Sequence, residues 1–254
     1  MRITIKIGSN VLTREDGALD VTRMSALVDQ VAWLRAKGHE IILVSSGAVA
    51  SGRSEMQHIK NDLDTVDQRQ LFSAVGQAKL INRYFEMFKD YGIHVGQVLT
   101  TKENFADTEH RKNQENCMRV MLENGVLPIV NENDTVSITE LMFTDNDELS
   151  GLIAQMTQSQ MLIILSNIDG IYTGDPSDPE ARLISIVKPG KSLSEYIQQK
   201  KSSAGRGGMQ SKSNVAMQTA AVGISVIIAN GKRENILIKL MTDRDNTPCT
   251  EFLC

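Results

Sequence analysis

Cysteine is scarce in this chain, and its pattern excludes a disulfide framework. Cys117, Cys249 and Cys254 are odd in number and include no C-x-x-C pair. That usage points to reduced thiols and a cytoplasmic setting. Aromatic residues make up only 4% of the 254 residues, so a core drawn from the 41% hydrophobic fraction must be aliphatic. His94 and His110 are isolated and lack the spacing of metal ligands. No apolar run approaches the ~20 residues that a membrane helix needs. The opening segment, MRITIKIGSN, is too charged and too short in apolar run to be a signal peptide. A net charge of −4 gives no reason to expect a nucleic-acid partner. Low-complexity segments and internal repeats are absent as well.

What the chain does have is concentrated between Asn131 and Ser150, NENDTVSITELMFTDNDELS. The preceding run, Val126 to Val130, is apolar and predicts a buried strand. Asn131, Glu132, Asn133 and Asp134 follow together, then an alternating segment from Thr135 to Phe143 that predicts a hairpin arm, then Asp145-Asn-Asp-Glu148. A helical pattern begins there. Thr144 or Asp145 offers an N-cap, and Glu148 stands where a capping box needs it. Capping accounts for Asp145 and Glu148. It does not account for Asn131 to Asp134, which close a strand. Carboxylates this dense repel, so a cation belongs nearby: a lysine, a metal ion or a substrate ammonium.

Elsewhere strands and helices alternate. Strands are predicted at Ile3 to Ile7, Glu40 to Val44, His94 to Leu99, Met161 to Leu165, Ser225 to Ala229 and briefly near Phe252. Helical periodicity covers Val21 to Ala36, Asp67 to Tyr91, about Ala106 to Glu123, Glu148 to about Thr157, and the stretch after Lys212. The order predicts an α/β fold: a three-layer αβα sandwich around a mostly parallel central sheet. Right-handed crossovers then gather the loops after Ile7, Val44, Val130 and Leu165 on one rim. Ligands bind at such a rim.

Those loops carry suggestive residues. Lys6 precedes Gly8-Ser9 and reads either as a phosphate contact or as a solvent-facing lysine on an edge strand. Ser45-Ser46-Gly47 through Gly52 is small enough for close backbone approach, for a ligand or for plain packing. Gly47 to Ser54 reads G-x-x-x-x-G-R-S, but without the lysine of a P-loop. Tyr172, in the loop from Ser166 to Pro176, offers a platform for a nucleotide base. Ser203 to Lys212 is rich in glycine, opens a helix and ends on a lysine, a combination suited to polyphosphate. It is not a dinucleotide fingerprint, because Gln210 stands where the last glycine belongs.

In combination these pieces resemble the amino acid kinase family, and within it the branch that phosphorylates L-glutamate. The matching segments are Lys6-Ile-Gly-Ser, Ser45 to Gly52, Ala74-Val-Gly-Gln77, Asn131-Glu-Asn-Asp134, Asp145-Asn-Asp147 with Leu149-Ser150, Asp169-Gly-Ile-Tyr-Thr173 with Asp175-Pro176, and Gly207-Gly-Met-Gln-Ser-Lys212. They run in order over almost the whole chain.

The resemblance implies ATP-dependent phosphorylation of the side-chain carboxylate of L-glutamate, the first step of proline synthesis, with Mg²⁺. It implies one kinase domain over 1–254, with a glutamate-binding half at about 1–160 and an ATP-binding half at 161–254. Lys6 and Lys212 would flank the transferring phosphoryl group, with Asp147 holding them. Ser46, Gly47, Asp134 and Asn146 would bind glutamate, Asp134 at the ammonium and Asn146 at the α-carboxylate. Lys6, Gly8, Ser9, Ser166, Asn167, Arg206, Gly207, Gly208, Met209, Gln210, Ser211 and Lys212 would bind ATP. No side-chain set is assigned to a metal. Asn167 stands where many relatives carry aspartate, and Arg206 where threonine is common; both departures concern the nucleotide. A chain ending at Cys254 leaves no room for the C-terminal PUA domain of many bacterial members. Also implied are a homo-oligomer, dimer or tetramer, and functional coupling to glutamyl phosphate reductase. Rival readings are acetylglutamate or uridylate kinase, a nicotinamide-dependent dehydrogenase and a non-catalytic sensor.

Overall fold

A computed structural model describes residues 1–56, 63–137, 143, 145–191, 193 and 208–254. The first strand, β1 (Arg2–Ile7), alternates Ile3, Ile5 and Ile7 with Thr4 and Lys6. It leads through the short α1 (Ser9–Leu12) to α2 (Val21–Ala36), whose N-cap Asp20 accepts from the N–H of Arg23. Next come β2 (Glu40–Ser45), α3 (Ala48–Glu55) and α4 (Thr65–Lys89). After β3 (Val95–Thr100) the expected helix appears as α6 (Thr108–Glu123), preceded by a short α5 (Glu103–Ala106) that periodicity did not indicate. Asp107 separates the two: its side chain caps α6 by accepting from the N–H of His110, with Asp107 itself extended. The series continues with β4 (Leu127–Glu132), α7 (Asn146–Met156), β5 (Met161–Ser166), β6 (Ile186–Val187), α8 (Met209–Ala220), β7 (Ser225–Asn230), α9 (Ile236–Thr242) and β8 (Cys249–Phe252).

The strands form an eight-stranded sheet of order β3-β4-β2-β1-β5-β7-β8-β6. β1 pairs in parallel with β2 and β5, β4 with β2 and β3, and β7 with β5. β8 runs antiparallel to β7, and β6 follows β8. The mostly parallel expectation holds, and the two-residue β6 was too short to leave a pattern. Central parallel strands are covered on both faces, which explains their near-continuous apolar sequences. One face packs Ile3, Ile5, Ile41, Leu43, Ile163 and Ile227 beneath α2, α4 and α9. The other packs Ile42, Val44, Val130, Leu162, Ile164 and Ile228 beneath α6, α7 and α8. The three layers follow directly.

This topology settles the Lys6 alternative. β1 lies between β2 and β5, so it is central and not an edge strand. Strand alternation turns Lys6 to the face opposite Ile5, toward α7, where it is 5% exposed.

Two glycines set how α3 and α4 cross. A Cβ at Gly76 of α4 would lie 1.8 Å from the Ala48 carbonyl oxygen, and one at Gly52 of α3 would lie 1.8 Å from that of Phe72. The helices therefore meet backbone to backbone. Gly76→Ala is expected to force them apart at a cost of about 1–3 kcal/mol or more. Thermal unfolding should show a melting point lower by several degrees; an unchanged value would mean that the crossing relaxes freely.

Candidate active site

The rim expected from the topology forms where β1, β2, β4 and β5 end. Asp145 is extended and caps α7, its Oδ1 accepting from the N–H groups of Asp147 and Glu148 at 2.9 and 3.0 Å. The cap explains why α7 starts at Asn146, two residues earlier than periodicity alone indicated. Asp145 Oδ2 is buried without a hydrogen-bond partner among the described residues. Thr144 and most of the expected hairpin arm lie outside those residues. The arm's first residues instead form a turn, with the N–H groups of Val136 and Ser137 donating to the Asn133 carbonyl.

Asp147 is fully buried and lies between two lysines. Its Oδ1 is 2.6 Å from Lys6 Nζ, an ion pair more than an aligned hydrogen bond, and its Oδ2 accepts from Lys212 Nζ at 2.9 Å. Lys212 sits in the first turn of α8 and is 9% exposed. Burial pushes the Asp147 carboxyl upward, but the Lys6 and Lys212 charges outweigh it and hold it below its usual range. β1, α7 and α8 thus supply one group each. Two ammoniums share one carboxylate, so the centre carries a surplus positive charge in a nearly dry environment. An incoming anion would balance it.

Gly8 follows immediately: its N–H donates to the Leu165 carbonyl at 3.1 Å, and a Cβ there would stand 3.0 Å from that oxygen and 3.4 Å from Lys6 Nζ. Ser9 opens α1, and Ser166 closes β5 with its hydroxyl 3.4 Å from Asn167 Oδ1. Gly208, Met209, Gln210 and Ser211 form the cap and first turn of α8, with Gln210 exposed. Arg206 and Gly207 lie outside the described residues. Behind this rim, Asp169 accepts from Arg233 Nε at 2.5 Å, Arg233 Nη2 at 2.6 Å and Asn230 Nδ2 at 3.2 Å. The Arg233 hydrogen bond holds the Asp169 carboxyl low. Tyr172 OH donates to Asp169 at 3.3 Å, so the expected base platform is tied by its hydroxyl.

Two of the expected glutamate residues, Asn146 and Ser46, meet one residue away. Asn146 Nδ2 donates to Ser46 Oγ at 3.0 Å. Gly47 holds φ +106°, a left-handed conformation that suits glycine and turns the chain from β2 into α3. Asp134 differs from its expected state. It is 7% exposed and forms an ion pair with Arg69 of α4, whose Nη2 also lies 3.2 Å from Glu132 Oε2. Glu132 in turn accepts from the N–H of Phe143 at 3.0 Å. Asp134 therefore already has a cation. Arg69 was missed because it lies in the second turn of α4 with no motif around it.

Among the described residues, no group of three or more His, Cys, Asp or Glu side chains is placed to hold a metal ion. Magnesium keeps several waters and is commonly held through substrate phosphates. These residues fit Mg²⁺ arriving with a nucleotide, and the cationic centre fits the nucleotide's phosphates.

Comparison with known proteins identifies the family. The family model for the amino acid kinase family matches residues 1–230. A glutamate 5-kinase of Bacteroides thetaiotaomicron is 68% identical over 252 residues, covering 99% of this chain and 70% of that protein. One from Chlorobaculum tepidum is 47% identical over 237 residues, covering 93% of this chain and 65% of that one. Among solved structures, carbamate kinase from Giardia lamblia bound to AMP-PNP superposes with a TM-score of 0.71 at 15% identity, covering 99% of this chain and 98% of that one. An isopentenyl phosphate kinase gives 0.69 at 17% identity, covering 99% and 100%. These two show the fold alone. Family match and sequence identity together establish that the chain belongs to the amino acid kinase family, in its glutamate 5-kinase branch.

Proposed function

We propose that the chain transfers the γ-phosphoryl group of ATP to the side-chain carboxylate of L-glutamate, forming L-glutamyl 5-phosphate for proline biosynthesis. The observation that carries this reading is the convergence of Lys6 and Lys212 on Asp147 beside Asn146 and Ser46. The nucleophile is an ionised carboxylate, so no general base is needed. Catalysis reduces to aligning it with the γ-phosphorus and stabilising charge on the phosphoryl oxygens. Lys6 and Lys212 supply that stabilisation, and Asp147 keeps both ammoniums aimed at one point. Gly8, Ser9, Ser166, Asn167 and the start of α8 from Gly208 to Ser211 receive ATP, with Arg206 and Gly207 assigned by resemblance. Magnesium, bound through the nucleotide, neutralises phosphate charge. The proposal assigns glutamate to a half at about 1–160 and ATP to 161–254. Reduced thiols suit a cytoplasmic enzyme. Acyl phosphates are labile in water, which favours coupling to glutamyl phosphate reductase. A dimer or tetramer completes the proposal.

The test is ADP release with a panel of acids, with hydroxylamine trapping the acyl phosphate. L-Glutamate should be turned over, and uridylate should not. N-Acetylglutamate, which lacks the ammonium, should lose one charge-assisted hydrogen bond and at least about tenfold in kcat/KM. Arg69 keeps Asp134 from being stranded without a cation, so the penalty stays below that of a broken buried pair. Equal kcat/KM for the free and acetylated acids would overturn this choice of substrate.

A further inference from the structure

Gln77 lies in the Ala74-Val-Gly-Gln77 segment that the reaction leaves without a role. It is 7% exposed, and Asn131, at the end of β4, is 3% exposed. The N–H of Glu132 donates to Asn131 Oδ1 at 2.9 Å. A backbone N–H can only donate, so this contact fixes which end of the Asn131 amide is oxygen. The nitrogen end donates to Gln77 Oε1 at 2.8 Å. Asn131 Oδ1 also accepts from Asn146 Nδ2 at 3.0 Å, and that same Nδ2 donates to Ser46 Oγ at 3.0 Å. A primary amide nitrogen carries two hydrogens, and both are committed. Asn146 Oδ1 is then the atom of this amide left for a ligand.

We propose that Gln77 and Asn131 are positioning residues that make Asn146 face the substrate as a hydrogen-bond acceptor, so that its Oδ1 receives the α-ammonium. This inference rests on glutamate being the substrate. It reverses the expectation that Asn146 holds the α-carboxylate, since a carbonyl oxygen repels a carboxylate. An acceptor at that point favours a free ammonium over a carboxylate.

Two competitive inhibitors separate the possibilities. Glutarate lacks the ammonium, and 4-aminobutyrate lacks the α-carboxylate. Asn146→Ala is expected to weaken 4-aminobutyrate roughly tenfold or more and to leave glutarate within about threefold. Weakening of glutarate with 4-aminobutyrate unchanged, or equal weakening of both, overturns the proposal. Gln77→Leu should raise the KM for glutamate by about tenfold with kcat within about threefold. Gln77→Glu keeps an acceptor facing Asn131 Nδ2 and should restore KM. A Gln77→Leu enzyme with unchanged KM, or with kcat falling as far as KM rises, assigns Gln77 to packing alone. The Asn146→Ala arm decides the matter even if Gln77→Leu fails to fold. Absence of glutamate turnover in the wild type would instead defeat the substrate assignment itself.

Discussion

Lys212→Ala is expected to lower kcat by about 10²–10³-fold while the KM for glutamate moves less than about threefold, and Lys6→Ala to do the same. The split follows from where the charges sit. Both ammoniums converge on the buried Asp147 carboxylate. Their contribution grows as charge shifts onto the phosphoryl oxygens, so it appears in kcat. The fold should survive either change. Removing one lysine leaves Asp147 with the other, a balanced pair and not a stranded ion. Steady-state kinetics at saturating ATP check this, and kcat losses under about threefold in both variants would remove the lysines from the mechanism.

Asp147→Asn is expected to be severe in a different way. It leaves two buried ammoniums facing an amide that cannot accept from both, and removing one partner of a buried pair costs about 3–5 kcal/mol. Activity should fall by at least the factor lost in a lysine variant, because neither ammonium is held. ATP should then raise the melting temperature of Asp147→Asn more than that of the wild type, its phosphates replacing the missing negative charge. The pH dependence has a definite sign. The folded carboxyl titrates below its ordinary value of 3.8 because Lys6 and Lys212 outweigh burial. Its stabilising effect is therefore complete above pH 3.8 and lost as pH falls through the lower folded value. Asp147→Asn should lack that acid-limb loss. Wild-type activity together with wild-type stability would reduce Asp147 to a helix-start residue.

Local patterns in the sequence read well. Apolar runs located the central strands, and the sequence Asp145-Asn-Asp marked a helix start, where the candidate site lies. Lys6 was ambiguous only because its strand's position in the sheet, edge or centre, is a property of the whole topology. Arg69 was not legible at all. Its partners Glu132 and Asp134 are 63 and 65 residues away, and the contact exists because α4 crosses the end of β4. Gln77 was visible as part of a motif, but its role depends on a hydrogen-bond direction set by the backbone of Glu132. The short α5 left no mark because four residues are too few to show a helical period.

On the proposed reading, the first turn of α7 gives three consecutive residues three separate tasks: Asp145 starts the helix, Asn146 faces the amino acid, and Asp147 holds the two lysines. The Cα atoms of Asn146 and Asp147 are one peptide unit apart, about 3.8 Å. Covalent geometry does not stretch with temperature or with movement between the halves of the chain. The proposed amino-acid contact and the anchor of both lysines would therefore keep one spacing, and a dicarboxylate one methylene shorter would be expected to reach only one of them.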